Sequence, residues 1–202
     1  MRSATDRRPR QRSDVRREAI LDALDRWLQQ SDLDTVNIAE IAREAGVGRS
    51  AFYFYFENKA AAVGALTERM ITETFTVHDG FITGSAEPAD RIATMIDGLI
   101  ATWQRHRHVF RAMLDARGAS PAVREIWDNA RESFVESIAE MIRAERLAGR
   151  ARVGAQPVVL ASLLLELNDR LLERLTRGGP LAVEQLRDGA VDIWLATIYG
   201  GA

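Results

Sequence analysis

The sequence predicts an all-α fold: an N-terminal three-helix unit with a helix-turn-helix, then a larger helical bundle, about nine helices in all. Three observations carry that prediction. Apolar residues recur with the 3.6-residue period of a helix along almost the whole chain. Four prolines, Pro88, Pro121, Pro157 and Pro180, stand where new helical periods begin, the one place where a missing N–H costs a helix nothing. No two β-prone runs face each other across turn chemistry, so strand pairing has nothing to build on.

The N-terminus is basic. Residues 1–17 hold seven arginines against Asp6 and Asp14, whereas residues 61–202 hold 16 basic and 19 acidic residues. The formal net charge of −2 therefore hides a positive end, which suits a polyanionic partner, although a merely solvated, disordered arm over 1–13 has the same composition. Ile20, Leu24, Trp27 and Leu28, with Leu21 and Ala23 beside them, place an amphipathic helix near 14–30. Ile38, Ile41, Ala42 and Ala45 repeat the pattern over 37–45, with Asn37 as N-cap and Glu40 as its reciprocal partner. A short helix follows near 49–55. Its aromatic run Phe52–Phe56 also suits a strand, but it has no partner and lies between helical patterns. Further periods fall near 58–80, 88–104, 107–116, 121–148, 157–176 and 181–199, and Ser120 before Pro121 marks one start clearly.

Residues 38–52 read as two short helices about a tight turn. Ile38, Ile41, Ala45, Val47 and Phe52 can form a small core, and Gly46 falls where the turn needs a positive φ. An ordinary helical hairpin is the alternative. In a helix-turn-helix the second helix enters the DNA major groove. Arg49 and Ser50 then sit at its N-terminal end, where Arg can make a bidentate contact to guanine. Tyr53, Phe54 and Tyr55 offer hydroxyls to phosphate and apolar faces to thymine methyls, while Phe52 and Phe56 face the core. Lys59, the sole lysine, opens the next helix, where a phosphate contact suits it, as would plain solvation.

Other functions are excluded by what is missing. There is no cysteine, hence no disulfide, thiolate zinc site or cysteine nucleophile. No GxSxG, GxxxxGK[ST], HExxH or GxGxxG motif occurs, so no enzyme activity and no cofactor is expected. Arg105-His106-Arg107-His108 puts its histidines on different sides of a helix among repelling cations, and His78 stands alone, so no metal is expected. No apolar run opens the sequence, and Val158–Leu165 is broken by Ser162 and stops at Glu166, so a cytoplasmic location without membrane contact is expected.

From Ala45 to Lys59 the sequence resembles the TetR (tetracycline-repressor) family of bacterial transcriptional regulators, over roughly residues 14–70. Ala144-Glu145-Arg146, Asn168-Asp169-Arg170, Ile193-Trp194 and Ile198-Tyr199-Gly200 extend the likeness toward a mycobacterial branch concerned with ethionamide activation. The resemblance implies a homodimer that binds a palindromic double-stranded operator and is released by a small apolar effector. It divides the chain into a DNA-binding domain over 14–57 and a ligand-binding and dimerisation domain over 58–202. DNA contacts then fall on Arg49, Ser50, Tyr53, Phe54, Tyr55 and Lys59, with Asn37 capping a helix near phosphate. Gly48 and Ala51 depart from the hydroxyl residues common at those positions in the family.

In the body, Leu160, Leu164, Leu167, Leu171 and Leu175 form one stripe, widened by Leu163 and Leu172. Leu186, Ile193, Trp194, Thr197 and Ile198 give the last helix a broad face of its own. Together they exceed what one core needs, so part of the surface is expected to pair with a second copy. Asn168 lies on the stripe and must bond either a neighbouring helix or, as the resemblance implies, a polar atom of the ligand. The resemblance also places Ile96, Leu99, Trp103, Phe134, Ile138, Leu164 and Trp194 along the ligand channel. Phe134 and Ser137 stand where the related branch carries larger aromatics, implying a wider or more polar cavity. Two alternatives stay open: a helical small-molecule-binding protein or enzyme without an operator, and a ligand-independent DNA-binding activator or architectural regulator.

Overall fold

Ten helices follow one another among the described residues, with no strand: α1 (Arg12–Leu28), α2 (Ile38–Glu44), α3 (Arg49–Tyr55), α4 (Lys59–Thr83), α5 (Pro88–Arg105), α6 (Arg107–Ala119), α7 (Pro121–Glu132), α8 (Val135–Leu147), α9 (Pro157–Arg177) and α10 (Val183–Ile198). The computed structural model describes residues 12–83 and 86–200, with side chains except at 12, 13, 73–80, 82 and 83. The expected Arg-rich arm over 1–13 lies outside the described residues but for its last two, which begin α1. The side chain of His78 lies outside them too.

Local chemistry accounts for the first three helices. Asn37 is extended at φ −97° and ψ 129°, and its Oδ1 accepts from Ala39 N–H at 2.8 Å, capping α2. Glu40 does not return the expected bond among the described residues, so the cap is Asn37's alone. Gly46 has φ +67°, and Val47 N–H then closes on the Ala42 carbonyl at 2.9 Å. The run from Phe52 to Tyr55 is helical rather than a strand. Phe52 and Phe56, one turn apart, are both buried with ring centroids 5.7 Å from each other, whereas a strand would put Phe54 on the same face as both, and Phe54 is 80% exposed. Ile20, Leu21, Leu24, Ile41 and Phe52 form the fully buried centre of this unit.

The stretch 121–148, expected as one helix, is two, which brings the number from about nine to ten. Ser133 Oγ donates back to the Ala130 carbonyl at 2.6 Å, and Phe134 N–H pairs three residues back with Arg131 at 3.1 Å. A hydroxyl competing for helix carbonyls tightens the turn and redirects the chain.

The long helix α4 joins the two parts, packing on α1 and on α5, α6 and α7. At Gly64 a Cβ would lie 2.9 Å from Ile126 Cδ1, so the α4 backbone abuts α7 directly. Trp194, Ile96, Ile138, Ile142 and Met113 are the fully buried centre of the larger part, where α8 packs on α9 and α10 on α5 and α9. Polar ties link the N-terminal unit to the body: Arg69 to Glu18 (2.6 Å) and Asp22 (2.9 Å), His108 to Asp25 (2.9 Å), and Arg111 to Asp32 (3.0 Å).

Candidate nucleic-acid interface and internal cavity

The helix α3 has two faces of opposite character. Phe52 is fully buried, whereas Phe54 is 80% and Tyr53 46% exposed, with Arg49 and Ser50 exposed at its N-terminal end. An apolar ring this open is stable against water only at a cost, unless a partner covers it. Arg49 Nη2 donates to Tyr53 Oη at 3.3 Å, and its guanidinium lies 5.7 Å from the Tyr53 ring centroid. The two side chains therefore share one outward patch one helical turn long. Tyr55 differs from its neighbours: it is half-buried and packs on the core edge, in edge contact with Phe54 at 5.0 Å. Gly48 begins α3 without a side-chain cap, as its departure from the family pattern implies.

Lys59 is placed otherwise than expected. Its Nζ donates to the carbonyls of Leu33 (2.5 Å), Asp34 (3.0 Å) and Val36 (2.8 Å). An ammonium has three protons, so this one has none left for a phosphate without breaking a bond. The correction has a plain cause. The turn before α2 leaves its carbonyls pointing at the start of α4, and only the folded chain brings them together.

Inside the body, an apolar cavity of about 80 Å³ opens between α4, α5, α6, α7, α8 and α9. Of the residues expected along a ligand channel, Leu99, Trp103, Phe134, Ile138 and Asn168 line it. Ile96, Leu164 and Trp194 do not; they are buried in the core behind it at 0%, 3% and 0% exposure. On α9 the lining position is Leu165 rather than Leu164, because helix α9 turns its next residue toward the space. Sequence reasoning missed Met70 and Ile71 on α4, Phe110 on α6, and Trp127 and Arg131 on α7. The proline-started amphipathic pattern of α7 located the helix but not the packing of its Trp face on α9.

Asn168 is buried, and its Oδ1 accepts from Trp194 Nε1 at 3.1 Å. The expected helix-to-helix bond thus exists, the amide NH₂ has no partner among the described residues, and Asn168 is part of the cavity lining. The wall beside it is charged. Asp169 Oδ2 accepts from Trp127 Nε1 (2.9 Å) and Arg131 Nη1 (2.8 Å). Burial pushes the Asp169 carboxyl above its ordinary value, against the lowering effect of those two donors.

A helix-turn-helix with an exposed aromatic and basic second helix, on a helical body with an internal apolar cavity, defines a DNA-binding transcriptional regulator. The comparisons with known proteins specify the family. Residues 20–66 match the bacterial regulatory proteins of the tetR family, and residues 92–200 match the C-terminal domain of the transcriptional regulator EthR. The chain is 32% identical over 202 residues to the HTH-type transcriptional regulator EthR of Mycobacterium tuberculosis, covering 96% of this chain and 92% of that one. It is 29% identical to the EthR of Mycolicibacterium smegmatis, covering 96% and 91%. Among solved structures, a complex of SmeT with triclosan superposes with TM-score 0.69 at 26% identity, covering 91% of each chain. The chain belongs to the TetR family of transcriptional regulators, with a C-terminal domain of the EthR type. Among the described residues, no helix is long and apolar enough to cross a membrane.

Proposed function

We propose that this protein is a repressor that binds a palindromic operator as a homodimer and leaves it when a small apolar effector enters the body. The observation that carries the reading is the division of α3, with Phe52 sealed inside and Arg49, Ser50, Tyr53 and Phe54 presented outward. Those four residues make the base and phosphate contacts, and Asn37 and the half-buried Tyr55 flank them. Lys59 contributes by fixing the turn that carries Asn37. The dimer forms through α9 and α10, where Val158, Val159, Leu163 and Ile193 are exposed apolar residues on helices already packed on each other.

Effector and DNA communicate through shared helices. Met70 and Ile71 of the cavity wall belong to α4, which starts at the N-terminal unit. Phe110 of the wall lies between His108 and Arg111, which hold Asp25 and Asp32 of that unit. The cavity is far smaller than the roughly 300 Å³ a typical ligand occupies, so binding must move these helices apart. The test is fluorescence anisotropy on the duplex upstream of the protein's own gene, against a scrambled duplex, with and without decanol. Preferential binding to the first, weakened by decanol, is expected. Equal affinity for both duplexes would leave an architectural DNA-binding role instead.

A further inference from the structure

The cavity shares a wall with a polar groove on the surface. The groove encloses about 360 Å³, and Trp127, Arg131 and Asp169 line both spaces. At this point those three side chains stand between the inside and solvent. Trp127 and Arg131 belong to α7 and Asp169 to α9. Of the helices around the cavity, α7 is set least deeply in the core. It buries one of its twelve residues, Val123, whereas α5, α6 and α8 bury six each, α9 seven and α4 more still. Both of its ends are breaks in the helical path, at Ser120–Pro121 and at Ser133.

The two edges of α7 are held differently. One rests on α4, where a Cβ at Gly64 would lie 2.9 Å from Ile126 Cδ1. The other closes on α9 through polar groups: Asp169 Oδ2 accepts from Trp127 Nε1 at 2.9 Å and from Arg131 Nη1 at 2.8 Å. Arg131 Nε lies 3.3 Å from Glu166 Oε1, also on α9, yet is buried without a hydrogen bond, so the fastening is incomplete. Toward α6 there is a ring contact, Trp127 to Phe110 with centroids 5.0 Å apart, and a long bond from Arg124 Nη2 to the Arg117 carbonyl at 3.3 Å. We propose that α7 is the door of the cavity: it swings on its α4 edge, the contact of Trp127 and Arg131 with Asp169 parts, and the effector enters from the polar groove. This rests on the effector reading above and adds the route. A helix with little buried apolar surface opens at a lower free energy than its neighbours. Parting strands no charge, because Arg131 keeps Asp128 of its own helix at 3.1 Å and Asp169 already lines the groove. The same swing supplies the room that a cavity of about 80 Å³ lacks.

Hydrogen exchange of the full chain without ligand, followed by peptide mass, tests the door. Amides of α7 are expected to exchange faster than those of α5, α6, α8 and α9. Asp169→Ala should speed α7 about tenfold further and leave α5 unchanged. Asp169→Asn, whose amide oxygen can still accept from Trp127 and Arg131, should fall between, and it carries the test if Asp169→Ala does not fold. Stopped-flow Trp fluorescence with decanol tests the route. In Asp169→Ala, association and dissociation should both quicken about tenfold, so that Kd moves less than either; Leu99→Ala, elsewhere on the lining, should alter chiefly dissociation. An α7 as protected as α5 overturns the proposal whether or not the variants fold. So does an association rate unchanged in a folded Asp169→Ala. If decanol binds by another path, only the door fails; if decanol does not bind the unmodified protein, the effector reading fails and the route with it.

Discussion

Lys59 Nζ donates to the Val36 carbonyl at 2.8 Å across 23 residues of chain, clasping the start of α4 to the turn that leads into α2. The same ammonium holds Leu33 and Asp34, so the connection between α1 and α2 is organised by a side chain from outside it. The orientation of the helix-turn-helix on α4 depends on this clasp.

Lys59→Met is expected to lower stability by about 1–3 kcal/mol, since it strips partners from part-buried carbonyls. It should weaken binding to all duplexes while leaving the salt dependence of binding unchanged. Anisotropy titrations over a range of salt concentrations check this. A slope reduced by about one would mean that Lys59 touches phosphate after all. Arg49→Ala, by contrast, should cost about 1–3 kcal/mol on the operator and far less on scrambled DNA.

The bond from Trp194 to Asn168 gives a second expectation. Asn168→Leu leaves the fully buried indole N–H without its acceptor, and Trp194→Phe leaves the amide oxygen without its donor. Each single variant should lose about 1–3 kcal/mol in urea denaturation, and the double variant less than the sum. Strict additivity would show that the pair is not coupled.

Stability should also respond to acid through the contact between α1 and α6. The hydrogen bond from His108 holds the Asp25 carboxyl below its ordinary value of 3.8, outweighing the burial that raises it. A lowered folded pKa means stability that is present above the ordinary value and lost as pH falls through the folded one. In a melting series from about pH 5 to pH 2, His108→Ala should therefore lose less than the unmodified chain, the two converging in acid. Parallel curves would contradict the assignment.

Leu163, 62% exposed on α9, and Ile193, 47% exposed on α10, test the association of two copies. Leu163→Glu with Ile193→Asp should keep the helical content, sediment as a monomer and lose operator affinity. A variant that still sediments as a dimer would move the interface elsewhere. Neither side chain contributes to the monomer core, so little stability of the single chain is at stake.

Several features were legible because their causes lie within a few residues. Asn37 caps the helix that begins at the next position, Gly46 takes the positive φ its turn demands, and Phe52 and Phe56 lie one turn apart on the buried face. The cavity was only half legible. Leu99, Trp103, Phe134, Ile138 and Asn168 do line it, but Leu164, Ile96 and Trp194 sit in the core behind it. An apolar residue at helical spacing looks the same in sequence whether its neighbour is a side chain or a void.

From its order of residues alone, then, this chain is an all-helical regulator with a short basic and aromatic helix at 49–55. Helical period, caps and turn glycines are set by neighbours in the chain, and these need no distant partner to take effect. Only the packed molecule decided that Lys59 serves three carbonyls 23 to 26 residues away, that 121–148 bends at Ser133, and that Arg131 and Asp169, 38 residues apart, close one wall of the cavity. Such contacts depend on which helices meet and at what rotation, a property of the whole core that no local pattern records.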